Sequence, residues 1–147
     1  MLIDSVSQTQ LRQTGDGISL FFDLSRSKWV SGSRYQSTFS IDHKSVSHSQ
    51  WMDFHDVPSN INGDIIARNA LIVSTTVRCR NNATGTFKIR RNGDLTSLVE
   101  VSLSSEGIKV VNDLDIELDA SDFLQVFLDN IVGSVDYPVI QVEVAYR

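Results

Sequence analysis

Three histidines, His43, His48 and His55, fall in one short stretch with Asp42, Asp53 and Asp56 beside them. Imidazole and carboxylate together form a donor set for a divalent transition metal. The spacing argues against that chemistry. His43 and His48 stand five residues apart in a Ser-rich run, which is neither the step of a pair on one helix face nor that of a pair on one strand face. The plainer expectation is that these side chains serve their own turns, with no metal and no cofactor. No G-x-S-x-G, H-E-x-x-H, phosphate-loop or dinucleotide fingerprint occurs. Cys79 ends an apolar run and is expected to be a small buried hydrophobe. As the single cysteine, it excludes an internal disulfide framework and a four-cysteine zinc site. The carboxylate pairs Asp113–Asp115 and Asp119–Asp122 lie on an alternating segment and the turn after it. A solvated face accounts for them, with Asp122 placed to cap the turn. No catalytic residue is assigned, and the chain is read as something other than an enzyme.

Asn82-Ala83-Thr84 matches a glycosylation sequon by pattern and is read as part of a loop between two strands. Arg78, Arg80, Lys88, Arg90 and Arg91 make the one basic cluster. If residues 70–91 form a hairpin, these side chains share the outer face of adjacent strands. Single-stranded nucleic acid would also require exposed aromatics among them, and Phe87 alternates to the opposite face. With 13 basic and 18 acidic residues the net charge is −5, the wrong sign for displacing phosphate counterions. A solvated or subunit-contacting surface is expected, without nucleic acid.

Residues 1–14 are polar apart from Leu2, Ile3, Val6 and Leu11. Their spacing permits a short irregular helix, and the segment reads as an N-terminal arm. Residues 15–147 read as one domain, which suits a chain of 147 residues. Ile18–Leu24, Trp29–Val30 and Arg34–Ile41 are candidate strands, the last with Tyr35, Ser37, Phe39 and Ile41 on one face. A Ser- and His-rich loop, an apolar run at Trp51, Met52 and Phe54, and a turn at Pro58–Gly63 follow. Ala70–Cys79 is rich in Val, Ile and Thr. Asn92-Gly93, set between alternating runs, predicts a type I′ hairpin turn with the return strand over Leu95–Leu103. Leu114, Ile116 and Leu118 alternate with acidic residues, and Phe123–Leu128 and Val135–Tyr146 complete the set. About eight short strands at roughly 8–12-residue spacing predict an all-β fold, a jelly-roll-like antiparallel β-sandwich. No apolar run is long enough to cross a membrane as a helix, and no basic-then-apolar leader opens the chain. Membrane partners are therefore not expected, and synthesis in a reducing cytoplasm is.

The segments Arg34–Lys44, Phe87–Gly93, Asp122–Phe127 and Val135–Arg147 together resemble small jelly-roll domains of tailed-bacteriophage virion proteins, both head-decoration (cement) proteins and tail-fibre tips. The shared pattern is F-x-I-R-x-N-G, a leucine, then G-D-x-L-x-V. Here Ser121 stands where that pattern has Gly. The resemblance spans about residues 30–147 and implies a homotrimer. It implies a structural virion protein: a cement trimer at the phage head surface, made in the host cytoplasm and contacting the major capsid protein. The arm residues Leu2, Ile3, Val6 and Leu11 would be the capsid anchors. The alternative is a receptor- or glycan-binding tip of a tail fibre or spike. Trp29, Tyr35, Trp51 and Tyr137 are the aromatics expected either at such a recognition surface or in the trimer interface.

Overall fold

β-Branched side chains fit a pleated, half-buried surface better than a helix, and eight of them fall between Ala70 and Arg91. In the computed structural model, which describes residues 11–13, 19–23, 26–31, 34–42 and 45–147, this stretch is one continuous strand of 22 residues. In chain order the strands are β1 (Leu11–Gln13), β2 (Ser19–Asp23), β3 (Lys28–Ser31), β4 (Arg34–Ser40), β5 (Gln50–Trp51), β6 (Asp53–Phe54), β7 (Val57–Pro58), β8 (Asp64–Ile65), β9 (Ala70–Arg91), β10 (Val99–Val111), β11 (Ile116–Leu118), β12 (Phe123–Val132) and β13 (Val139–Tyr146). No helix occurs among the described residues.

The long strand β9 is the spine. Along one edge β13 pairs with its first half and β12 with its second. Along the other edge β11 and then β10 run antiparallel to it. β4 lies outside β13, and β5 and β8 lie outside β12. Every pairing is antiparallel, and the sheet curls until it is nearly closed, so the fold is an all-β, sandwich-like barrel. Val77, Cys79, Ala83, Phe87 and Ile89 point inward along β9. They meet Phe39, Met52, Leu103, Leu124, Leu128 and Ile140 in one core.

Three expectations need correction. Residues 70–91 do not form a hairpin, because the stretch read as a loop stays in the ladder. Ala83 pairs with Glu106, Thr84 with Val132, and Gly85 with Leu103. Where β12 and β13 diverge, Asn81 replaces the missing strand contacts. Its side chain donates to Ser134 O (2.9 Å) and accepts from Asp136 N (2.9 Å). The strands β9, β10 and β12, of 22, 13 and 10 residues, are thus longer than the spacing of turn residues suggests. The second correction concerns the Asn-Gly turn. It is present, with Asn92 at φ 56°, Gly93 at φ 75° and Asp94 N donating to Arg91 O at 2.9 Å. The return strand begins at Val99, opposite Ile89, rather than at Leu95. The turn is diverted onto β12: Asn92 accepts from Phe123 N (2.9 Å) and donates to Asp122 (2.7 Å), and Gly93 N donates to Gln125 (2.6 Å). Asp122 also caps its own turn, accepting from Asp119 N at 2.8 Å.

Leu11–Gln13 is a strand paired to β2, not a helical turn. With β2 and β3 it makes a separate three-stranded sheet. Val30 of β3 packs on Leu71, Val73 and Ala145, so both faces of β9 are buried at its start. Lys28 secures the same hairpin to Asp115 (2.7 Å) and Glu117 (2.9 Å).

Candidate recognition surfaces

Alternation along β12 buries Leu124, Val126 and Leu128 and therefore turns Phe127 outward. Its register partner on β5 is Trp51, and the two rings meet edge to face at 5.1 Å, a favoured aromatic geometry. The Arg90 guanidinium lies over both rings, 5.0 Å from Phe127 and 5.6 Å from Trp51. Its Nε is buried without a hydrogen-bond partner. Facing the rings is the segment from β7 into the next turn, which carries Pro58, Asn60 and Ile61. Together with Ser49, Gln50 and Asp53 these residues line an open cleft of about 570 Å³. Ile61 is 73% exposed.

The cleft is held by bonds made behind it. Ser59 is fully buried; its hydroxyl donates to Val126 O and accepts from Val126 N, and its carbonyl accepts from Gln125. Gly63 lets the turn approach β12, since a Cβ there would sit 2.2 Å from Leu124 O. On the other side Asp129 accepts from Lys88 (2.8 Å), Ser49 (2.6 Å) and Asn130 N (2.8 Å). The Lys88 ammonium, then the Ser49 hydroxyl and the Asn130 amide, hold its carboxyl well below the usual range.

A second surface is the outer face of the β10–β9–β13–β4 layer. One row across it reads Ile108, Arg78, Val139, Ser40, and the next Val110, Thr76, Gln141, Thr38. Ile108 and Val110 are 55% and 52% exposed, and Arg78 is the single charge in the two rows. The outer edge of β10 carries no paired strand among the described residues.

The four aromatics singled out from the sequence do not come together. Trp51 enters the cleft. Tyr35 points inward and is half-buried against Tyr146, with ring centroids 5.5 Å apart; burial, with the Asp64 charge, pushes its hydroxyl well above the usual range. Beside it Ser37 donates to Asp64 in a short hydrogen bond. Tyr137 takes a left-handed conformation at φ 48° and lies under the Arg80 guanidinium at 4.9 Å. Trp29 pairs through its backbone with Phe22, and its side chain lies outside the described part. The anchors Leu2, Ile3 and Val6 also lie outside the described residues, and Leu11 is in β1.

The basic cluster is dispersed along one strand. Arg80 and Arg90 cover aromatic rings, Lys88 pairs with Asp129, and Arg91 binds Glu117 O (3.1 Å) and Asp122 (3.5 Å). His55 and Asp56 are the two central residues of the β6–β7 hairpin, both at positive φ, and His48 is exposed. His43 lies outside the described residues. No group of three metal-ligating side chains forms among those described. The sequence reading missed Phe127, Arg90 and Asn60 at the cleft and Ile108 and Val110 on the outer face of the β10–β9–β13–β4 layer. Outward alternation marked Phe127, whereas the approach of the Pro58–Gly63 turn had no local signal. No protein-family model and no characterised protein matches the sequence of this chain.

Proposed function

We propose that this chain is a structural virion subunit: a trimeric head-decoration protein that packs through the outer face of its β10–β9–β13–β4 layer. The observation carrying this reading is the pair Ile108 and Val110, half-exposed in two rows that hold one charge. β-Branched faces of this kind gain by burial, about 25 cal/mol for each Å² of apolar surface covered. A stable interface covers about 800 Å² per partner, more than two side chains supply, so the adjoining Val139, Thr76, Gln141 and Thr38 belong to it. In a closed trimer each copy would use two patches. The free edge of β10 beside this face offers the second, where another chain could add a strand. The resemblance to phage jelly-roll domains supports the virion setting, and the arm ahead of β1 would reach the major capsid protein.

Sedimentation equilibrium tests the assembly. The wild type is expected at the mass of a trimer, and Ile108→Glu/Val110→Glu at the mass of a monomer with an unchanged β-sheet circular dichroism spectrum. A wild type that stays monomeric at micromolar concentrations refutes it. Deleting residues 1–10 is expected to abolish binding to undecorated phage heads while leaving the trimer intact; undiminished occupancy removes the arm from the contact.

A further inference from the structure

We propose that the Trp51–Phe127 cleft is a binding site for a neutral saccharide. The rings supply an apolar platform, and around it stand Gln50, Asp53 and Asn60, whose side chains make no hydrogen bond among the described residues. The two amides each offer donors and acceptors, and the carboxylate offers acceptors. Sugar hydroxyls, which both donate and accept, match that mixture, while the C–H face of a pyranose ring matches an aromatic surface.

Charge and shape narrow the class. Among the described residues lining the cleft Asp53 is the one carboxylate, and it opposes anionic sugars. The Arg90 cation is spent on the ring faces, an attraction worth about 0.5–2 kcal/mol. Its packing holds Trp51 and Phe127 in place before any ligand arrives, which reduces the ordering cost of binding. The cleft of about 570 Å³ falls in the range of small-ligand sites, roughly 300–1,000 Å³. Its open form suits a ring or two of a longer glycan better than an enclosed apolar ligand. Ile61 and Pro58 form the far wall, and the buried Ser59 anchors keep that wall at a fixed distance from the rings. The site is built from β12, β5 and the turn after β7 and shares no residue with the Ile108–Val110 face.

The test is a glycan array carrying neutral and sialylated oligosaccharides, followed by NMR titration with the best neutral glycan. The Trp51 indole N–H is the reporter. Saturable shifts of that resonance are expected, with affinity reduced at least about tenfold, or 1.4 kcal/mol, in Trp51→Ala and in Asn60→Ala. Asn60 is exposed and its side chain holds nothing in the fold, so its variant stays folded and the comparison stands if Trp51→Ala does not. Ile108→Glu/Val110→Glu is expected to bind as the wild type does. An array with no neutral glycan bound above the Asn60→Ala background overturns the proposal. So does binding confined to sialylated glycans, or binding unmoved by both cleft variants. Failure here would leave the packing face untouched, because the two surfaces share no residue.

Discussion

Replacing Gly63 with alanine tests the close approach that forms the cleft wall. A Cβ built at Gly63 meets Leu124 O at 2.2 Å and the Phe123 ring at 2.9 Å. An ordinary contact between carbon and carbonyl oxygen is about 3.3 Å, so the turn must retreat from β12 by about 1 Å. The obstacle is backbone in a paired strand, not the end of a flexible side chain, and it cannot yield easily. A displacement of that size stretches the Ser59–Val126 and Gln125–Ser59 hydrogen bonds, now 3.1–3.2 Å. Buried groups left without partners cost about 1–3 kcal/mol each, and overpacking itself about 1–3 kcal/mol. The expected loss is about 3 kcal/mol, or roughly 9 °C in Tm for a domain of this size. Gly85→Ala is the control. Its Cβ would meet Val135 and Leu128 side chains at 3.4 and 3.6 Å, and removing a strand glycine is expected to be neutral or to add up to about 1 kcal/mol. Urea unfolding followed by tryptophan fluorescence measures both. Equal stabilities for the two variants would refute the close-approach reasoning.

Two further outcomes follow from other parts of the molecule. Because the folded-state pKa of Asp129 is depressed, its contribution is fully present above the ordinary carboxylate value of about 3.9. It is lost as pH falls below that value towards the folded one. Asp129→Asn should therefore be less stable than wild type at pH 7, with the gap closing in acid; a gap of equal size at both pH values in urea titrations contradicts the ion-pair account. Ser121 holds φ 78°, where a non-glycine residue costs about 1–2 kcal/mol. Ser121→Gly should raise stability by about 0.5–1 kcal/mol after the greater freedom of glycine in the unfolded chain is counted, and an unchanged denaturation midpoint would remove that strain from the account.

Local chemistry made much of the fold legible. The alternation at Tyr35–Ile41 placed Phe39 and Ile41 in the core, and the run from Ala70 to Cys79 read correctly as strand. The Asn-Gly pair adopted the two positive φ values its residue types favour. The turn over Asp119–Asp122 was legible too, whereas the left-handed backbone of Ser121 within it carried no local signal. Errors arose where a residue's usual preference was overruled by a distant partner. Ala83, Thr84 and Gly85 lie in a stretch that looks like a loop, yet β10 and β12 hold them in the ladder, while Asn81 bonds through its side chain to Ser134 and Asp136. Leu95 looks like the start of a return strand, yet the Asn92 turn gives its hydrogen bonds to Asp122, Phe123 and Gln125 instead.

The candidate surfaces divide along the same line. Periodicity of two decides which side chains leave the core, and that depends on the sequence alone. It turned Phe127, Ile108 and Val110 outward, and it determined an all-β chain with one cysteine and an acidic balance. Which outward residues become neighbours depends on register between strands far apart in the chain. Trp51 and Phe127 meet through one pairing, Arg90 reaches both from a third strand, and Gly63 admits the facing wall by lacking a Cβ. The basic cluster was dispersed by the same means: Arg80 and Arg90 are drawn to rings and Lys88 and Arg91 to carboxylates that only the folded sheet supplies, while Arg78 stays on the outer face. Long-range pairing fixes such contacts because backbone hydrogen bonds set strand spacing and register, and no local run of residues carries that information.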